Sequence, residues 1–270
     1  MTKLLQPFSK FIVQKSIPFH IKVMDSFEKY RSSFSNSEIP EGTKIMSEKA
    51  FIETKSNEKS ENFEKEKKNG KFIPFYKRSI ESSKRGFISS KMQYHWMMLT
   101  MEFVRKFSEI KPTNDLLLKH IYQLDYTIMN PEFISKEWEN DYKTLFSCFK
   151  NANINLSIID SIEKYLRLMG IMKVNSIFNS KSHTFGLYLA SSYINHSCDP
   201  NLELIFENQP NDSNQSLISF VTKRKIKKDE EITFNYLGKN SENLNPSFRK
   251  KLIELSFGFR CLCSICSEKK

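Results

Sequence analysis

Four of the chain's five cysteines lie in two short segments of its last third. One segment is Asn195-His196-Ser197-Cys198-Asp199-Pro200-Asn201. The other is the tail Phe257-Gly258-Phe259-Arg260-Cys261-Leu262-Cys263-Ser264-Ile265-Cys266, with three thiols spaced C-x-C-x-x-C. A structural zinc ion takes four N or S ligands in a tetrahedron. The tail offers three, so the set needs one more from elsewhere, and Cys198 is the obvious donor. A metal held by Cys198, Cys261, Cys263 and Cys266 ties the C-terminal segment to the Asn-His segment, and the fold between them has to assemble around that knot. The chain is otherwise poor in cysteine, which makes the cluster specific. An odd cysteine count with this spacing points to metal binding in a reducing compartment rather than to disulfides. Cys148, in a helical-looking stretch from Tyr142 to Phe149, reads as a buried small hydrophobe.

A length of 270 residues suffices for one large domain or two small ones with a real core. The formal charge of +11 favours anionic partners such as nucleic acid, although many lysines in such a chain simply face water. No stretch approaches the roughly 18 apolar residues of a membrane span. Residues Met1 to Lys10 lack the apolar core of a signal peptide.

The pattern along the chain is β, then helical, then β again, which predicts an α+β architecture. Ile21-Lys22-Val23 reads as a strand fragment and Ile39-Pro40-Glu41-Gly42 as a turn. An extended run resumes over Thr43 to Met46, with a further strand from Glu48 to Ile52. Residues 1–53 therefore form a first group of strands. Residues 54–71 are rich in Lys, Glu, Asn and Ser and read as a charged linker. Residues 72–170 form a helical block. There the stripes Tyr94, Met97, Met98, Met101, Val104 and Leu116, Leu117, His120, Ile121, Leu124 recur at three and four. A third stripe, Ile158, Ile159, Ile162, Leu166, Met169, ends at Gly170, which sits like a C-cap. Strands return from Ile171 in a β core over 171–240, with Ile218 to Thr222 alternating well. Asn245-Pro246 then opens a short helix carrying Phe248, Leu252 and Leu255 within a C-terminal zinc segment, 241–270.

Tyr193-Ile194-Asn195-His196-Ser197-Cys198-Asp199-Pro200-Asn201 resembles the signature of SET-domain protein-lysine methyltransferases. Lys225-Ile226-Lys227-Lys228-Asp229-Glu230-Glu231-Ile232-Thr233-Phe234-Asn235-Tyr236 resembles that family's second signature, and the cysteine tail resembles its post-SET zinc segment. Ile21 to Glu48 is similar to the first SET strands. With the helical block between, the chain resembles the split SET domains of the SET-and-MYND group, closest to the fungal branch that methylates lysines of histone H4. The resemblance implies a β-rich SET fold split by a helical insertion. It implies S-adenosylmethionine as methyl donor, zinc as structural metal, a protein substrate that is a histone H4 tail, and a nuclear, chromatin-associated and cytoplasmic location. The basic surface then suits nucleosomal DNA. The alternative is a degenerate SET domain that binds protein or chromatin without catalysis.

By the same resemblance Tyr236 is the catalytic tyrosine and also borders the cofactor. Asn195 meets the methionine or ribose end of the cofactor, and His196 lies beside its adenine. Phe259, two residues before Cys261, stacks on the adenine, with Phe257 as competing candidate. Asn175 and Ser176 match positions near the lysine channel, although a turn asparagine fits Asn175 equally well. His120 and His183 read as structural. Two departures stand out. The MYND finger is absent, since no cysteine precedes Cys148. And the stretch that matches the family's Gly-x-Gly ahead of a Phe-Ala/Ser pair is Tyr30-Arg31-Ser32-Ser33-Phe34-Ser35, where Tyr and Ser replace the glycines, so any positive-φ backbone or close cofactor approach at that point is strained or lost.

Overall fold

The computed structural model describes residues 12–14, 19–23, 31–55, 88–109, 115–126, 136–151, 154–179, 184–207 and 216–267. Tyr30, His183, the side chain of Cys148 and most of the charged stretch 54–71 lie outside what is described. The chain divides into two compact units, one formed by Met1–Phe51 with Tyr188–Lys270, the other by Ile52–Leu187.

The first unit is built on strands. β1 (Ile12–Gln14), β4 (Lys44–Lys49), β10 (Leu217–Thr222) and β9 (Leu202–Glu207) form an antiparallel sheet in the order β1-β4-β10-β9. β2 (Phe19–Val23) pairs antiparallel with β3 (Arg31–Ser35), and the short β8 (Asn195–His196) pairs parallel with β11 (Thr233–Phe234). The alternation seen at Ile218 and Phe220 places both in the core, and the polar residues between are buried too. Ser219 lies opposite Ser47, and their hydroxyls bond at 2.6 Å, which satisfies both groups on the second face of the sheet. The turn at Ile39 to Gly42 forms as the sequence predicts. Gly42 takes φ +75°, a conformation cheap only for glycine, and its N–H donates to the Thr222 carbonyl at 2.9 Å.

The extended run after that turn differs from expectation. Glu48 and Lys49 complete β4, the ladder breaks at Ala50 and Phe51, and β5 (Ile52–Lys55) begins in the other unit. Glu48 explains the interior of β4. Its carboxylate is fully buried and accepts the backbone N–H of Ala190 at 2.7 Å and of Ser191 at 3.0 Å, at the start of the 3-10 turn Ser191–Tyr193. Burial pushes its pKa up to about 7 against the lowering effect of those N–H groups.

The second unit carries β5, β7 (Thr184–Leu187) and β6 (Ser176–Asn179) as an antiparallel sheet in that order. Its helices are α1 (Ile88–Glu109), α2 (Asp115–Tyr122), α3 (Lys136–Asn151) and α4 (Ile162–Asn175). Of the expected stripes, Met97, Met101 and Val104 on α1 and Leu117, His120 and Ile121 on α2 are buried, while Met98 is half-buried. Helix α4 starts one turn later than its apolar stripe, because Ser161 caps it by accepting the Lys164 N–H. Gly170 does not end it. The helix continues to Asn175, so the strands return at Ser176 rather than Ile171. Leu168 through Met172 are all buried, and packing on every side outweighs the roughly 1 kcal/mol a mid-helix glycine costs. Among the described residues, no helix is long and apolar enough to cross a membrane.

Glu48 yields a test. A raised carboxyl pKa means that stability is greatest below the unfolded pKa and falls as pH rises through the folded one. A shift from 4.5 to about 7 corresponds to about 3 kcal/mol. The melting temperature of Glu48→Gln relative to wild type should therefore rise between pH 5 and pH 8. A pH-independent difference contradicts the buried, perturbed carboxyl.

Candidate functional site

The site residues converge in the strand-rich unit. The parallel pairing sets Thr233 beside Asn195 and Phe234 beside His196, and the Ser197 N–H continues it by donating to the Phe234 carbonyl at 3.1 Å. Two residues past β11, Tyr236 returns to β8 at two points. Its backbone N–H donates to Nδ1 of His196 at 3.1 Å, and its hydroxyl donates to the Ile194 carbonyl at 2.8 Å. The tyrosine is therefore fixed at both ends against the Asn-His segment.

These contacts also assign the histidine. A backbone N–H can only donate, so Nδ1 is the acceptor and the single proton of a neutral imidazole sits on Nε2. Nε2 lies 3.3 Å from Sγ of Cys198 and points that proton at the sulfur. Burial, with the charge of Arg249 nearby, pushes the imidazole pKa down to about 4 against a raising contact from the Phe234 carbonyl, so the ring is neutral at physiological pH.

The sulfur atoms of Cys198, Cys261, Cys263 and Cys266 all lie within 4.8 Å of one another. Cys198 Sγ is 3.9 Å from that of Cys261 and 3.6 Å from that of Cys266. A tetrahedron with Zn–S bonds of about 2.3 Å has edges of about 3.8 Å, so the four sulfurs already stand where a zinc ion needs them. Burial pushes the Cys198 thiol far up and that of Cys261 to about 11, while backbone N–H groups bring Cys263 down to about 7. Buried thiolates of this kind need a cation beside them, and the donor set fits zinc. The cluster is packed by Ile253, Tyr236, Leu237, Phe257 and Ile265.

Helix α5 (Pro246–Phe257) delivers the tail to this point. Asn245 caps it, Pro246 occupies its first turn, and Gly258 closes it at φ +77° with its N–H on the Glu254 carbonyl. Its buried face is Arg249 and Ile253, whereas Phe248 and Leu255 are 51% and 64% exposed. The short α6 (Ser264–Ser267) then carries Cys266. Between the two helices stands Phe259. Its ring centroid lies 6.1 Å from that of His196 and 6.4 Å from that of Tyr236, and it remains 38% exposed. Phe257 packs inward at 5.0 Å from the Tyr236 ring, and Phe234 flanks it at 4.8 Å. The exposed ring of Phe259 is thus the one open to stack on a planar ligand, and Phe257 is core.

The structure brings Asn195, His196, Tyr236, Phe259 and the four cysteines together in one unit. Asn175 and Ser176 belong to the other unit. There the Asn175 amide donates to the carbonyls of Asp125 and Ile171, each at 2.8 Å, and Ser176 opens β6. Ser32, which stands at the second glycine, sits in a regular strand. Among the described residues only Asp229, Gly42, Gly238 and Gly258 have positive φ, so at Ser32 that conformation is lost rather than strained. Ser32, Ser33 and Ser35 are fully buried, and Ser33 Oγ donates to the Tyr193 carbonyl at 2.7 Å. Sequence reasoning left Glu231 unassigned. Its carboxylate accepts from the Asn195 amide at 2.9 Å, and the only signal was its place in the acidic run Asp229-Glu230-Glu231.

The family profile for the SET domain matches residues 31–237. Histone-lysine N-methyltransferase SET5 of Eremothecium gossypii is 27% identical over 136 residues, which are 49% of this chain and 23% of that protein. SET domain and MYND-type zinc finger protein 6 of Schizosaccharomyces pombe is 28% identical over 138 residues, 47% of this chain and 26% of that protein. The chain thus spans about a quarter of the length of these curated relatives. The crystal structure of the SET domain of LSMT bound to lysine and AdoHcy aligns with a TM-score of 0.51 at 14% identity, over 96% of this chain and 56% of that one, a likeness of fold.

The cysteine geometry predicts one zinc per chain by elemental analysis. Cys266→Ser should lose the metal and melt well below wild type. Purified protein with no zinc and an unchanged melting point in Cys266→Ser would refute the site.

Proposed function

The chain belongs to the SET-domain family, and from that premise we propose that it methylates lysine side chains of proteins with S-adenosylmethionine. The observation that carries this reading is the doubly anchored Tyr236 beside Asn195, His196 and the exposed Phe259. The cofactor supplies an electrophilic methyl group on a sulfonium, next to a lysine amine whose nitrogen lone pair takes it.

The residues have to make that amine neutral and aim it. Lysine titrates near 10.4, so deprotonation at pH 7.4 costs roughly 4 kcal/mol. A site walled by Phe234, Phe257 and Tyr236 disfavours the ammonium by desolvation, and a neighbouring sulfonium repels it. The Tyr236 hydroxyl commits its one proton to the Ile194 carbonyl, so toward an amine N–H it acts as acceptor. It holds the amine by that N–H and turns the lone pair to the methyl carbon, and alignment of this kind supplies most of the rate. Asn195 and His196 form the cofactor wall, with Phe259 covering its adenine.

The substrate is a histone, and the H4 tail in particular. The support is the match to fungal proteins named histone-lysine N-methyltransferases. The excess charge of +11 suits nucleosomal DNA and a place on chromatin in the nucleus, with a cytoplasmic pool. The loop after β10 contributes little free charge to that surface, since Lys223, Arg224 and Lys225 pair with Glu242, Glu230 and Glu38.

Radiolabelled methyl transfer to histones, free H4 and nucleosomes tests the reading. Wild type should label H4, more strongly on nucleosomes at low salt, and Tyr236→Phe should lose at least about 100-fold. Micromolar cofactor binding by calorimetry accompanies this. No binding and no label on any histone or cell extract would favour the degenerate, non-catalytic reading instead.

A further inference from the structure

We infer that Glu231 and Ser32 are positioning residues that lock the side-chain amide of Asn195 in one orientation, so that the site offers a bound ligand a single face of that amide. The inference rests on the cofactor site proposed above.

Nδ2 of Asn195 lies 2.7 Å from Ser32 Oγ and 2.9 Å from Glu231 Oε1. A carboxylate has no proton to give, so the amide nitrogen and not the amide oxygen must face Glu231. The Ser32 hydroxyl then accepts from the same nitrogen, and both of its protons are committed. Turning the amide over would set two acceptors against each other at hydrogen-bond distance. This settles an orientation that atomic positions alone leave open for an asparagine.

Both partners are themselves rigid. Ser32 is fully buried and sits in the middle of β3, opposite Lys22 of β2. Glu231 bridges Phe34 of β3, its carbonyl accepts the Asn201 amide at 2.8 Å, and the next residue, Ile232, donates its N–H to the Ser33 carbonyl at 2.7 Å. Two separate segments of chain therefore converge on one amide. The hydroxyl of Ser32 is a contact that a glycine at this place cannot make. The departure at Ser32 thus adds a partner to Asn195.

The test is a double-mutant cycle read by calorimetry with S-adenosylmethionine and by thermal melting without it. Glu231→Gln keeps the size of the side chain but can meet the amide in either sense, so the lock is lost. It should weaken cofactor binding about tenfold, the scale of one hydrogen bond to a charged group. In an Asn195→Ala background the same change should have no further effect on affinity, and the two substitutions should be non-additive in the melting of the free protein. Metal content should stay at the wild-type value throughout. Additive losses of affinity overturn the inference while leaving the proposed function standing. Failure of the wild type to bind the cofactor overturns the proposed function, and this inference with it. Ser32→Ala, expected to weaken binding several-fold and only when Asn195 is present, gives the same decision if Glu231→Gln does not fold.

Discussion

One imidazole ring connects the two halves of the site. His196 accepts the Tyr236 N–H on Nδ1 and directs Nε2–H at the sulfur of Cys198. The tautomer that permits one contact enforces the other. On one side the four thiols gather the tail, and with it Phe259. On the other, β11 and Tyr236 are pinned to β8, and through Ser197 and Phe234 the pairing continues past the histidine. A zinc ion in the cysteine cluster would therefore be tied to the backbone of the tyrosine through this ring, with the ligand's hydrogen-bonded neighbour playing the part that outer partners commonly play at metal sites.

Buried polar groups hold the turn that precedes the site. Glu48 holds the N-terminal end of the Ser191–Tyr193 turn, and Ser33 holds the carbonyl at its far end. That turn leads directly into Ile194, whose carbonyl receives the Tyr236 hydroxyl. A fully buried carboxylate lowers stability at neutral pH, so its retention beneath the turn is a matter of position rather than of stability. Asn201 does comparable work from the start of β9, donating to Glu230 and Glu231 and accepting the Thr233 N–H.

Much of this was legible in the sequence where spacing alone dictates geometry. The C-x-C-x-x-C tail needed a fourth thiol, and Cys198 supplies it. The Ile39 to Gly42 turn, the β10 alternation and the Asn245-Pro246 helix start all follow local rules that the fold leaves intact. Local rules failed where packing overrides them. Gly170 has the look of a helix end, but burial on all sides carries α4 past it. The run from Glu48 to Ile52 reads as one strand, yet it spans the boundary between two units. At Ser32 a sequence shows the missing glycine and not the hydroxyl that meets Asn195. Glu231 went unassigned for the same reason, since its partner is 36 residues away.

In the proposed reading the cysteine knot, acting through His196, sets the cofactor site. The most direct test measures S-adenosylmethionine affinity on metal-loaded protein, after removal of zinc by a chelator, and after zinc is restored. Affinity should fall at least about tenfold when the metal leaves and return when it is replaced. Equal affinity in the metal-free protein would show that the site stands without the knot, and would contradict the account.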